Sequence, residues 1–193
     1  FHITPGQFGF LVASYSFSAG ALGFAAGFVM DRFDRKTALL TLYAGFGVGT
    51  LSCAIAPNYA LLLIARIVAG AFGGVAGSVI LAIVGDVIPA HRRGHAMGLV
   101  MLAYSLAQII GLPLGLWLAG VLSWHAPFIL IAAVAIINSI VGWRSLPPLR
   151  AHLQPGRPAD GLAQMHAILS HPNHWRAFAL ISAVTIMGGL IFP

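Results

Sequence analysis

The feature that most limits what this chain can fold into is where its basic residues fall. Nine of its ten lysines and arginines lie in every second gap between long uncharged runs. Arg32, Arg35 and Lys36 occupy the first gap, Arg92 and Arg93 the third, and Arg144, Arg150, Arg157 and Arg176 lie in or at the ends of the fifth. The second and fourth gaps, around Pro57-Asn58 and Leu122-Ser123-Trp124-His125, carry no formal charge. Loops on the cytoplasmic side of a membrane collect Lys and Arg, so the alternation predicts both a class and an orientation. The chain crosses a bilayer repeatedly with its basic loops inside. The tenth basic residue, Arg66, lies within an apolar run.

Composition agrees and excludes other classes. The chain is 59% hydrophobic and 7% charged, with mean hydropathy +0.93, whereas an average soluble domain has roughly 25% charged residues. So few charges could not cover a soluble surface of this size. The net charge of +6 does not point to nucleic acid, because basic residues confined to membrane loops are explained by topology. Cys53 is the single cysteine, which rules out an intrachain disulfide, and it reads as a small lipid- or helix-facing residue.

About 20 apolar residues are needed to cross about 30 Å of hydrocarbon. On that measure the spans are Gln7–Met30, Thr37–Ala56, Tyr59–Val84, Gly94–Val121 and Ala126–Trp143, with a sixth from Ala177 to the end. The 50 residues from Gly94 to Trp143 contain no Asp, Glu, Lys or Arg and are too long for one crossing, so they break at Ser123–Pro127. In lipid every backbone group must be satisfied internally, and runs of this length and apolarity are helices. The expected fold is therefore an all-α polytopic membrane bundle of about six transmembrane helices.

Six spans with the basic loops inside put both ends of the sequence outside. A first residue Phe1 and an apolar run stopping at Pro193 suggest a piece of a longer polytopic chain. The opening segment lacks the basic n-region and cleavage site of a signal peptide. Residues 144–176 form the one long hydrophilic stretch, read as a cytoplasmic linker with a short interfacial helix at 161–170. His152, His166, His171 and His174 fall there. The spacing of His171 and His174 would suit a metal only on a helix, and Pro172 with no acidic or Cys partner argues against one, so no metal and no cofactor is expected.

Several residues stand out against this background. Asp31, in Gly27-Phe28-Val29-Met30-Asp31-Arg32-Phe33-Asp34-Arg35-Lys36, sits at a helix C-terminus, where the macrodipole disfavours an anion, so a specific partner is expected. Arg66 inside a span costs roughly 2.5–3.5 kcal/mol on insertion scales, and such residues usually face a cavity. It lies only about 10 Å from the outer surface at 1.5 Å per residue, so snorkelling outward is the competing reading. Arg66, Gly70, Gly73 and Gly77 share one face, where an arginine borders a close-packing groove; we take Arg66 as cavity-facing, either a contact for a substrate anion or part of a proton relay. Tyr104 and Gln108 are i and i+4 on the fourth span, available as substrate hydrogen-bonding groups or as interhelical glue. Gly111, Pro113 and Gly115 suggest a close crossing or hinge. Tyr15, Ser16 and Ser18 read as packing.

The Gly-x-x-x-Asp-Arg-x-x-Arg-Lys spacing from Gly27 to Lys36 resembles the signature loop between the second and third helices of the major facilitator superfamily. Arg66-Ile67-Val68-Ala69-Gly70-Ala71-Phe72-Gly73-Gly74 is similar to the Arg-x-x-x-Gly-x-x-Gly pattern of its fourth helix. Gly85-Asp86-Val87-Ile88-Pro89 with Arg92-Arg93-Gly94-His95-Ala96-Met97-Gly98 resembles the loop that follows. Gly111-Leu112-Pro113-Leu114-Gly115, with Trp124, Pro127 and Phe128 beyond, is like the superfamily's bacterial arabinose-efflux and multidrug-efflux permeases. The resemblance covers the whole chain and implies helices two to six, the central linker and the start of helix seven. The first helix and most of a second bundle would then belong to a parent chain.

Two departures matter. Asp34 stands where the signature loop usually has glycine, so the turn is expected to form without a residue suited to positive φ, which Asp tolerates better than most. Leu112 separates Gly111 from Pro113, where the antiporter proline motif has them adjacent.

The resemblance implies a secondary transporter of the bacterial inner membrane, an efflux permease moving small molecules by alternating access, with protons a candidate coupling ion. It implies that Asp31, with Gly27, Arg32 and Lys36 in the same loop, holds two bundles together on the cytoplasmic side, and that Arg35 pairs with Asp86. The plainer alternative is that these charges only stitch a loop. All four acidic residues, Asp31, Asp34, Asp86 and Asp160, lie at the cytoplasmic edge or in loops, so no mid-membrane carboxylate is present here to carry a coupled proton. No nucleotide-cradling Gly-x-x-x-x-Gly-Lys-Ser/Thr loop and no nucleophile–base pair marks an enzyme. An uptake carrier of the same fold, or a non-transporting membrane scaffold or receptor, are the alternatives.

Overall fold

The computed structural model describes residues 3–150, 170, 174–176 and 178–183, with the backbone alone at 27–29 and 31. Among the described residues all regular structure is helical. Five helices are long and apolar enough to cross a membrane: α1 (Pro5–Val29), α2 (Arg35–Ala54), α3 (Tyr59–Val87), α4 (Ala90–Val121) and α5 (Ala126–Ser145). A single 3-10 turn, Met30–Arg32, joins α1 to α2.

Capping residues explain where these helices begin relative to the apolar runs. Thr4 accepts a hydrogen bond from Gln7 N at 3.3 Å while Gln7 Oε1 accepts from Thr4 N at 2.9 Å. With Pro5 in the first turn, this capping box starts α1 two residues before the apolar run suggests. Asp34 caps α2 and Asn58 caps α3, the latter accepting from Leu61 N at 2.9 Å. α4 starts at Ala90 rather than Gly94, directly after Pro89, and its first turn includes Arg92 and Arg93. At 32 residues it is about 48 Å long, well above a hydrocarbon thickness of about 30 Å. Pro113 is accommodated within a continuous helix.

α3 is the centre of the bundle, packed along α1 and α2, while α2 also packs along α5. Near the basic ends Ala26, Leu39, Leu42, Val75, Ala76 and Val79 form one core, with Phe72, Ile83 and Leu146 against it. Near the uncharged ends Leu11, Cys53, Ala56, Leu62 and Ala65 form a second, with Tyr59 and Phe128. Cys53 is completely buried at this helix contact. Close backbone approach supports both cores. A Cβ added at Gly49 would lie 2.8 Å from Ala69 N, and one at Gly74 would lie 2.7 Å from Ala19 Cα. α4 contrasts with the rest: it has no buried residue, and Leu112, Leu116 and Trp117 are each at least 60% exposed.

The described residues fall in two compact units, 1–155 and 156–193. In the second, 170, 174–176 and 178–183 are helical, and Trp175 meets Phe178 edge to face with centroids 6.3 Å apart. Residues 161–169 of the expected interfacial helix, His152, His166, His171, and most of the sixth span lie outside the described residues.

Candidate functional site

Two charged centres lie near opposite ends of α3. At the basic end, the α1–α2 turn brings Arg35 to the first position of α2, where its side chain crosses to α3. Arg35 Nε donates to Asp86 Oδ2 at 3.2 Å, and the side chains are 10% and 32% exposed respectively. The pair implied by the signature loop is thus formed, between residues 51 positions apart. A mostly buried guanidinium needs such a carboxylate, because an uncompensated charge there is costly.

The rest of the loop is organised by Asp34. Its backbone is at φ −55°, ψ 124°, so the expectation of a left-handed residue in place of glycine is corrected. The turn closes as a helix cap and needs no positive φ. Asp34 Oδ1 accepts from Lys36 N at 2.8 Å and from Leu149 N at 3.2 Å, and Oδ2 accepts from Arg150 Nε at 2.8 Å. Burial works to raise the Asp34 pKa, but the hydrogen bonds from Arg150, Leu149, Lys36 and Thr37 outweigh it and hold the carboxyl below its ordinary value. Lys36 Nζ donates to the carbonyls of Trp143 and Leu146 at 2.8 and 2.5 Å, satisfying acceptors at the end of α5. Arg32 is exposed at the end of the 3-10 turn. The surroundings of Gly27 and the Asp31 side chain, with the partner expected for it, lie outside what the structure describes.

Nearer the uncharged ends, Arg66 lies inside the bundle. Its guanidinium carbon is 4.9 Å from the centre of the Tyr15 ring on α1, a cation–π contact. Arg66 Nε is buried with no hydrogen-bond partner among the described residues. Arg66 lines a small cavity of about 150 Å³ with Tyr15, Phe46, Thr50, Cys53, Ala69, Phe128 and Ile131. Arg66 is partly buried and its side chain lies against Tyr15 at this cavity. The glycines that follow Arg66 admit α1: a Cβ at Gly70 would land on Ser18 Oγ and the Tyr15 carbonyl, and one at Gly73 would lie 2.7 Å from Tyr15 Oη. Gly77 on the same face makes no such approach among the described residues; a Cβ there meets nothing within 4 Å.

Tyr104 and Gln108 bond each other, Gln108 Nε2 donating to Tyr104 Oη at 3.2 Å, and neither lines the Arg66 cavity. Gln108 instead borders an apolar groove of about 640 Å³ between α4 and α5, with Gly111, Gly115, Pro127 and Val134. Gly111 and Gly115 have open space around them among the described residues. Away from both centres, His125 Nδ1 hydrogen-bonds the Ala54 carbonyl, with Trp124 stacked on the His125 ring at 3.7 Å between centroids.

Three participants escaped the sequence reading. Tyr15 was read as packing but is the partner of Arg66. Thr50 carries no signal beyond a small polar residue in a span. The capping role of Asp34 has a legible mark, an Asp immediately before Arg35-Lys36 and an apolar run; its tie to Leu149 and Arg150 does not.

Five apolar helices of membrane length, packed as a bundle around an arginine, mark a multi-pass membrane protein. The chain belongs to the major facilitator superfamily, whose profile matches residues 1–193. It is 30% identical over 184 residues to a "Probable sugar efflux transporter" of Helicobacter pylori strain G27, covering 95% of this chain and 46% of that protein. It is also 30% identical over 159 residues to the "Uncharacterized MFS-type transporter YceJ" of Bacillus subtilis strain 168, covering 82% and 40%. Among solved structures it superposes on the inward-open xylose transporter XylE from E. coli with TM-score 0.64 at 19% identity, over 94% of this chain and 46% of that one. The likeness to XylE establishes the fold. The chain spans less than half the length of these relatives.

Proposed function

We propose that this chain serves a secondary active transporter that exports small molecules, drug-like compounds or sugars, by alternating access in the bacterial inner membrane. The observation that carries this reading is that α3 bears a walled-in guanidinium near one end and, at the other, a carboxylate paired with the signature-loop arginine. A carrier rocks two bundles around a site near the bilayer midplane. In this reading Arg35 and Asp86, with Gly27, Asp31, Arg32 and Lys36, form the cytoplasmic latch. Arg66, held against Tyr15, is the polar contact of the cavity, and Tyr104 with Gln108 offers substrate hydrogen bonds apart from it, Gln108 at the α4–α5 groove. Gly70 and Gly73 pack α3 against α1, Gly77 continues their face, and Gly111, Pro113 and Gly115 let α4 bend.

Residues 1–143 supply the helices of one bundle, 144–176 the cytoplasmic connection, and 177 onward open a second bundle. The alternation of basic loops supports placing the α1–α2, α3–α4 and post-α5 segments in the cytoplasm. The efflux named for the Helicobacter relative supports export, and exchange against protons is the coupling we propose.

The test is transport by the intact protein in vesicles with an imposed proton gradient, using a fluorescent dye and a sugar panel, with wild type beside Asp31→Asn and Arg66→Ala. Gradient-dependent movement lost in both variants is the expected result. Movement untouched by either variant would remove the site assignments, and no movement of any solute would favour a scaffold.

A further inference from the structure

The end of α5 and the segment that leaves it are bound at Trp143, Leu146, Leu149 and Arg150 to the loop that carries Arg35. Arg35 N donates to the Leu149 carbonyl at 3.2 Å, and Leu149 N donates back to Asp34 Oδ1 at 3.2 Å, a reciprocal pair of bonds. Arg150 Nε adds a charged bond to Asp34 Oδ2 at 2.8 Å. Lys36 Nζ, one residue beyond Arg35, holds the carbonyls of Trp143 and Leu146. Leu146 also packs on the core of Leu39, Leu42 and Val79 that underlies the latch. Every one of these bonds reaches residues 34, 35 or 36, and Arg35 is the one whose side chain goes instead to Asp86.

Glycine, which the signature loop has at this position, would leave the α2 N-terminus without a side-chain cap and Leu149 N and Arg150 without an acceptor. We propose that Asp34 is a positioning residue of the cytoplasmic latch: it fixes the 146–150 segment against the start of α2, aims Arg35 at Asp86, and ties the exit of α5 to the opening and closing of that pair. The inference rests on the reading of Arg35–Asp86 as a latch. Asp34 contributes through two separable contacts. Its cap and its bond to Leu149 N need only a carbonyl-type oxygen, which Asn also supplies. Its bond to Arg150 needs the charge to reach full strength.

The test combines hydrogen exchange of the 146–150 segment with transport kinetics in the intact transporter, for wild type, Asp34→Gly, Asp34→Asn, Arg150→Ala and the Asp34→Gly/Arg150→Ala pair. Asp34→Gly should speed exchange at Leu149 by roughly fivefold or more, the loss of one to two hydrogen bonds. It should lower kcat while leaving KM within roughly twofold, because the cavity is untouched. Asp34→Asn should recover most of the Leu149 protection and part of the turnover. Arg150→Ala should slow turnover in the wild-type background and add nothing to Asp34→Gly, since both remove the same tie. Faster exchange with unchanged turnover would overturn the inference and leave the transporter reading standing. Unchanged exchange in Asp34→Gly would overturn it as well. A wild type that moves no solute, with Leu149 protected, would remove the latch reading and this inference with it.

Discussion

Truncating Asp86 to Ala tests the central ion pair most directly. Arg35 is left with a side chain only 10% exposed and without the carboxylate that lies 3.2 Å from Nε. Fully exposed pairs are worth about 0.2–1 kcal/mol, and removing one partner of a fully buried pair costs about 3–5 kcal/mol. With one partner near-buried and Asp86 a third exposed, the coupling should fall between, at about 1–2 kcal/mol. Asp86→Asn should lose less, because its side-chain oxygen still accepts from Nε. The assay is a double-mutant cycle of Asp86→Ala and Arg35→Ala, read by thermal unfolding of the purified protein and by the ratio of inward- to outward-facing molecules. A coupling of this size displaces a two-state population by about 5- to 30-fold. Strict additivity, a coupling under about 0.3 kcal/mol, would refute the reasoning, since residues that do not interact add within that margin.

Other substitutions probe the rest of the bundle. Tyr15→Leu should weaken transport and reduce stability by about 1 kcal/mol through loss of the ring beneath Arg66, whereas Tyr15→Phe should keep both, and transport assays beside melting curves will separate them. Gly49→Leu should destabilise by at least about 2 kcal/mol, because even its Cβ would lie 2.8 Å from the Ala69 backbone; Gly77→Ala, which meets nothing within 4 Å, is the control in the same melting experiment. Asp34, with a folded pKa below its ordinary 3.8, contributes stability that is fully present above that value and is lost as pH falls through the folded pKa. Melting temperature should therefore drop below about pH 4 in wild type, with the part due to Asp34 absent in Asp34→Asn.

The positions of the helices were legible because a bilayer imposes one length and one chemistry on each crossing. The deviations all occur at helix ends, where a single residue decides: Thr4 with Gln7 advances α1, and Asp34 starts α2 ahead of the apolar run. Arg66 was recognisable as an anomaly from its own position, yet nothing near it in sequence indicates Tyr15, which belongs to another helix. Asp34 shows the limit most sharply. As a departure from glycine it suggested a residue tolerating positive φ, whereas its actual partners Leu149 and Arg150 are 115 and 116 residues away. Local physics predicts caps and spans; contacts set by helix packing have no local signature. For Gly111 and Gly115 the pattern of small residues suggested a close crossing or a hinge, and among the described residues nothing approaches either glycine closely.

Arg66 and Asp86 belong to one uninterrupted helix, α3. Twenty residues at 1.5 Å each put them about 30 Å apart on a rod stiff over that length. A tilt of about 10° around one residue would carry the other through about 5 Å, enough to part an ion pair. On the proposed transport reading, the Arg66 cavity and the Asp86 ion pair would be coupled by leverage, as two ends of a single beam. A mutation that softens the beam between them at an open position, such as Gly77→Pro, should uncouple the two ends while leaving the contacts at each intact.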